Sequence, residues 1–423
     1  MRSSVRRAVT AWLVLGVACV AAPGRSAAQE RGVLLAVAGR TNANVSLAAR
    51  GDTVVAVWSA TEGTTTDIYA ALSADGGRRF SAPTRVNDVA GDARVSGEQP
   101  PRAVFVVRGG LSSIVVIWTS KRAAGTRLLW SESTNGARSF RAAQVVPGGE
   151  AAGNRGWESV AVDERGRVFV LWLDHREAGM PAAMHHEGMA MDAPRAAVDP
   201  VQKAGLSQLF ITSIDGAVTR QVARGVCYCC KTALVASHGV LYAAWRHVFA
   251  GNQRDIGFAI SRDGGATFNA PARVHADGWA FDGCPENGPA VVVDNARRAH
   301  VFWPAPPDGA LGTPLGLFHA STRDGVAFTA RVALPIKGPA SHVSAVLDAG
   351  GAVVVAWEES TRRERTVAMA RATTTDNGAI SFRRVKLDDV AGDAWRPALA
   401  STRGGVVLAW HTEAGLRVMR VAR

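Results

Sequence analysis

The stretch CCKTALVASHGVLYAAWRHVFAGNQRDIGFAISRDGGATFNAPAR, residues 229–273, reads as four short strands joined by tight turns. Thr232–Ala236 alternates, Leu241–Trp245 is an apolar run, and Ile256–Ile260 and Phe268–Arg273 follow with strand-like composition. Between the third and fourth strands stands SRDGGATF, Ser261 to Phe268. Serine and aspartate side chains there can bond the turn's own amides. Glycine supplies positive φ, and the aromatic ring tucks the hairpin against its sheet.

The unit repeats along the chain. Apolar runs close on Trp58, Trp118, Trp172, Trp245, Trp303, Trp357 and Trp410. A Ser/Thr-x-Asp/Asn turn follows six of them: Ser73/Asp75, Ser133/Asn135, Ser213/Asp215, Ser261/Asp263, Thr322/Asp324 and Thr374/Asp376. After the seventh, the sequence stops at the strand Gly415–Arg423. Six turns in phase with seven tryptophans define a repeat architecture.

SADGGRRF (73–80) and SRDGGATF (261–268) resemble Asp-box, or BNR, repeats, as found in sialidases and other secreted β-propellers. The resemblance spans nearly all of the chain after the leader. It speaks to fold more than to chemistry, because the motif is a structural turn.

Residues 1–28 read as an export signal, with Arg2, Arg6 and Arg7 before the apolar Ala8–Ala22 and small residues Ser26, Ala27 and Ala28 at a cleavage site. The apolar stretch is short for a bilayer span, and nothing later resembles a membrane helix. Cys19 raises lipoprotein anchoring as the lesser alternative, since Gly16 stands where leucine is usual. The chain is therefore expected to be periplasmic or secreted, with residues 29–423 forming one domain.

The 44 glycines among 423 residues suit many tight turns. The net charge is +12, and removing the leader's four arginines (Arg2, Arg6, Arg7 and Arg25) leaves +8. Lysine and arginine are scattered rather than striped, which argues against a nucleic-acid partner.

Val33–Val37 is a strand without a unit of its own, and the seventh unit has only three strands. Pairing the two would close the ring and remove both free edges. The expectation is an all-β, seven-bladed propeller of four-stranded antiparallel blades, closed by an N-terminal strand. Six blades, as in family sialidases, is the alternative. Runs such as VVAVW (54–58) and VVVAW (353–357) are apolar on both faces, as strands sandwiched between blades must be.

This topology puts the Asp-box turns on one face. The loops after each tryptophan and the inter-blade linkers lie on the other, where ligands are usually held. Four cysteines fall in consecutive linkers there: Cys227, Cys229 and Cys230, then Cys284. In an oxidising compartment they read as two disulfides, with at least one joining Cys284 to the 227–230 cluster; a Cys-rich metal site is the runner-up. The loop from Asp174 to Ser207 is unusually long and carries Met180, Met184, His185, His186, Met189 and Met191. It resembles the Met/His-rich stretches of periplasmic copper-handling proteins, which implies possible copper.

Arg176, Arg246, Arg254, Lys231, His342 and Arg396 fall on the same face and can hold a carboxylate through arginine forks. Asp174, Asp255, Tyr228 and Glu286 are the candidate catalytic groups. Asp255 also occupies the repeat position of Asp67, which suits a strand cap instead. The sialidase resemblance implies three arginines on the substrate carboxylate, an aspartate acid/base, and a late tyrosine nucleophile paired with glutamate. The three tyrosines here are Tyr69, Tyr228 and Tyr242, none of them late, and the Phe-Arg-Ile-Pro sequence is absent. A glycan or other anionic small molecule bound on the loop face is the leading expectation. A sialidase-type glycoside hydrolase and an extracytoplasmic copper-binding protein are the alternatives.

Overall fold

The computed structural model describes residues 32–123, 125–178, 199–361, 364–374, 380–388, 390 and 392–421. The expected leader (1–28) and the methionines and histidines at 180–191 lie outside the described residues.

Seven sheets of four antiparallel strands form a ring. Thr41–Arg50, Arg102–Arg108, Arg155–Val162, Ala233–Ser237, Ala290–Val293, Ala340–Leu347 and Trp395–Thr402 are the innermost strands of blades 1 to 7. Each packs on the next, and the seventh returns to the first. Val33–Leu35 supplies the outer edge of blade 7 by pairing with Gly415–Val421, Val33 opposite Val418 and Leu35 opposite Leu416. The six-bladed alternative is thereby corrected. Among the described residues, no helix is long and apolar enough to cross a membrane.

The second strand of each blade explains the ring's cohesion. Both of its faces meet neighbouring blades, so Val54–Trp58 and Val353–Trp357 are buried throughout. All seven repeat tryptophans are at most 2% exposed. Truncating one such indole would cost on the order of 3–5 kcal/mol.

The fourth strand of blade 4 is shorter than its sequence suggests, only Ala272–Arg273. Pro271 just before it has no N–H to give to a ladder. The turn preceding it is built from its own side chains. Ser261 Oγ donates to Asp263 at 2.7 Å and accepts from Gly265 N at 2.8 Å. Ser73 repeats this with Asp75 (2.8 Å) and Gly77 N (2.9 Å). Gly77 and Gly265 sit at φ 91° and 90°, which a side chain would strain. Ser133/Asn135, Ser213/Asp215 and Thr322/Asp324 make the same side-chain bond.

Candidate functional site

Four innermost strands begin with a β-bulge, at Ala43/Ser46, Gly156/Ser159, Ser341/Ser344 and Trp395/Ala398. Inside each bulge one residue takes a left-handed conformation: Asn44 (φ 56°), Trp157 (55°), His342 (50°) and Arg396 (51°). In register with the tryptophan strand, Lys231 holds the same position in blade 4 and Gly288 in blade 5. Bulges re-aim side chains and free backbone groups from the ladder. The fold thus gathers Lys231, His342 and Arg396 at one height around the axis, each half-buried.

The freed amides are bonded across blades. Glu358 Oε2 accepts from Arg396 N at 3.1 Å and meets His342 Nδ1 at 2.9 Å. Burial would raise the Glu358 carboxyl, but the His342 bond and charge hold it below its ordinary value. Asn287 Oδ1 accepts from His342 N at 3.2 Å.

The mouth of the axis is bridged by the hairpin Ser96–Gln99, whose tip is Gly97-Glu98. Glu98 Oε2 accepts Lys231 N at 3.0 Å and Gly288 N at 2.8 Å, tying blades 4 and 5 to the linker between blades 1 and 2. Its other oxygen, Oε1, is buried without a partner among the described residues. The Arg396 guanidinium packs against Gly97, where an added Cβ would stand 1.8 Å from Cζ, so any side chain there would displace the arginine.

Within the channel is a cavity of about 210 Å³ whose polar lining includes Ser46, Arg102, Ser159, Lys231 and Ser344. Burial lowers the Lys231 ammonium to about 8. Its Nζ donates to Val343 O at 2.5 Å. Nearby, Glu158 is fully buried between blades 2 and 3 and accepts from Thr119 Oγ1 at 3.2 Å. Burial pushes its carboxyl up to about 7, against the pull of Arg102.

The remaining candidates are placed elsewhere. Asp174 is held by Arg155 (3.2 Å), Arg176 (2.7 Å) and the Trp172 indole (3.2 Å). Burial would raise its carboxyl, but the Arg176 bonds and the Arg155 charge bring it to about 2. Arg176 also stacks on Phe210 at 4.6 Å. Asp255 binds Arg273 and Gly278 N, as Asp67 binds Arg40 and Gly91 N, so both aspartates tether the linker leaving their blade. Arg246 donates to the carbonyls of Asn287, Arg254 and Pro304. Tyr228 lies under the Lys203 ammonium at 4.0 Å, and burial raises its phenol. Glu286 is exposed.

One disulfide joins Cys229 to Cys284, as expected for the linkers entering blades 4 and 5. The second expected disulfide is corrected: Cys227 and Cys230 are free, buried thiols, with Sγ atoms 3.6 Å apart. Cys227 Sγ is also 3.7 Å from Cys229 Sγ. The three sulfurs lie close together, but with Cys229 oxidised only Cys227 and Cys230 offer thiolate donors. The hydrogen bond between the free pair lowers the Cys227 thiol, while burial raises Cys230.

Glu98, Arg102, Trp157 and Glu158 were not legible as candidates. The available signal was alignment on the tryptophans, because Trp157, His342 and Gly288 each precede theirs by 15 residues and Lys231 and Arg396 by 14. For Glu98 no such signal exists.

No family model and no curated protein matches the chain. Solved structures do. A PL25 ulvan lyase is 10% identical over 93% of this chain and 96% of that one, with a TM-score of 0.52. The GH93 α-L-arabinofuranosidase of Fusarium graminearum is 9% identical over 93% and 97%, at 0.51. The class is therefore a seven-bladed β-propeller sharing its fold with carbohydrate-acting propellers. A leech intramolecular trans-sialidase is a looser likeness, 8% identical over 88% and 82%, at 0.44.

Proposed function

We propose that this is an exported propeller that binds an acidic glycan, or another small carboxylate-bearing ligand, at the axial mouth of its loop face. The observation that carries the reading is the equivalent strand-entry position of Lys231, His342 and Arg396, the last two within bulges, which sets three nitrogen-bearing residues around one mouth. Charge-assisted bonds to a carboxylate are the strong ones, and Arg396 supplies the planar fork. Glu98 Oε1, buried and unpartnered, is an acceptor suited to a sugar hydroxyl. The ulvan lyase, solved bound to -[GlcA(1-4)Rha3S]-, is a fold analogue whose ligand is itself anionic.

Binding is favoured over hydrolysis of the sialidase type. Asp174 and Asp255 are locked in ion pairs, and Tyr228 is packed beneath Lys203. Sialoside turnover is expected to stay well below about 1 per second, the range of ordinary enzymes. Calorimetry against uronate- and sialate-bearing oligosaccharides tests the reading. Arg396→Ala and His342→Ala should each weaken binding about tenfold or more, with stronger loss in the double variant. Unchanged affinity in both variants, or binding of neutral sugars alone, overturns it. Turnover of a fluorogenic sialoside that vanishes in Tyr228→Phe would restore the hydrolase.

A further inference from the structure

The cysteine cluster lies beside blade 4's lead-in strand and serves no part of the axial reading. Cys227 and Cys230 are 1% exposed, and their sulfurs stand 3.6 Å apart in a Cys-x-x-Cys turn. Cys229, the third sulfur, is bonded to Cys284 and fixes the turn to the next linker. Among the described residues, no histidine or carboxylate joins this group.

A second observation is independent of the sulfurs. Arg254 is 0% exposed, and its Nε, Nη1 and Nη2 have no hydrogen-bond partner among the described residues. Its neighbour Arg246 is spent on three carbonyls. Both arginines belong to the same buried cluster as the thiols: Cys227 N donates to Arg246 O at 2.9 Å, and Arg246 in turn donates to the Arg254 carbonyl. A buried cation without a counter-charge costs several kcal/mol, and a pair of neutral thiols does not offset it.

We propose that Cys227 and Cys230 form a two-coordinate thiolate site for Cu(I), with Arg254 as its buried counter-cation. Binding forms two metal–sulfur bonds and releases the two thiol protons, leaving a bis-thiolate complex of charge −1 that Arg254 neutralises. Zn²⁺ would form a neutral pair, leave Arg254 uncompensated and still need two more ligands. An all-sulfur donor set selects a soft ion. With metal–sulfur bonds of about 2.3 Å, bond angles of 120–180° span about 4.0–4.6 Å between sulfurs, so the turn opens by about 1 Å or less.

The test is an anaerobic titration of the full chain with Cu(I) against a chromogenic chelator. One ion per chain should be withdrawn, and Cys227→Ser or Cys230→Ser should abolish that binding. Arg254→Met should weaken it by about 10–100-fold, as loss of an outer-sphere partner does. In the wild-type protein, Cu(I) should protect Cys227 and Cys230 from alkylation, mapped by peptide, which needs no variant to fold. Replacing Met184, His185, His186, Met189 and Met191 together by alanine should leave the ion bound. The proposal is overturned if Cu(I) gives no protection, if the ion leaves with the Met/His variant and stays in the cysteine variants, or if mapping finds Cys227 bonded to Cys230.

Discussion

Blades 1 and 4 share one plan and differ on one rim. Both carry the serine turn, at Ser73 and Ser261, and both tether their outgoing linker through an aspartate, Asp67 and Asp255. On the loop face they diverge. Blade 1 has Asn44, Ser59 and Thr66 where blade 4 has Lys231, Arg246 and Arg254. Blade 1 receives no disulfide at its lead-in, whereas Cys229–Cys284 clamps those of blades 4 and 5. Blades 1 and 4 thus share the local bonds that close a hairpin and hold an outgoing linker, whereas charge and sulfur are particular to the rim of blade 4.

The largest expected difference comes from that clamp. Its cysteines are separated by 55 residues, and closing such a loop stabilises by about 4 kcal/mol on chain-entropy grounds. Cys284→Ser should lower the denaturant midpoint of the unreduced protein accordingly. An unchanged midpoint would mean that the blade 4–5 rim is no more restrained than blade 1.

The aspartates test the shared half. Asp67→Ala and Asp255→Ala each strand a partly buried arginine, Arg40 or Arg273, and should each cost on the order of 3 kcal/mol. Similar losses by chemical denaturation support one structural role. The comparison breaks if Asp255→Ala abolishes ligand binding while leaving stability intact.

The smallest effect is a pH slope, and it contrasts Val45 of blade 1 with Glu158, its counterpart in blade 3. Burial lowers His175, His319 and His411 to about 3 and His247 to about 4, below the ordinary 6.5. Their contribution is present above pH 6.5 and is lost as pH falls toward 3–4. Glu158 acts oppositely. Its carboxyl is raised from 4.5 to about 7, so its contribution is full below 4.5 and is lost as pH rises through 7. Glu158→Gln should therefore lose stability more steeply than the wild type between pH 7 and 4.5, read as melting temperatures across that range. Parallel slopes would make Glu158 as indifferent to pH as Val45.

Legibility followed the range of the interaction. The Ser73 and Ser261 turns are made within five residues, so the sequence displays them directly. The orphan strand at Val33 was legible because one unit lacked an edge, a matter of counting. Lys231, His342 and Arg396 are legible as lead-in residues, yet the bulges that hold His342 and Arg396 level with Lys231 are not, since a bulge is a register property of two strands. For the cysteines, separation along the chain allows Cys284 to reach the cluster, but only packing decides that Cys229 takes it and that Cys227 and Cys230 remain thiols.

By itself the sequence determined the blade, its sevenfold repetition and the closure of the ring, because these rest on local hydrogen bonds and on apolar runs that recur in phase. The tertiary structure alone decided what meets on the axis. Glu98 binds Gly288 from 190 residues away, and neither residue carries a local pattern that names the other. The physical reason lies in the ring itself. It brings seven separate strand starts to one mouth, so contacts there depend on closure and not on spacing along the chain.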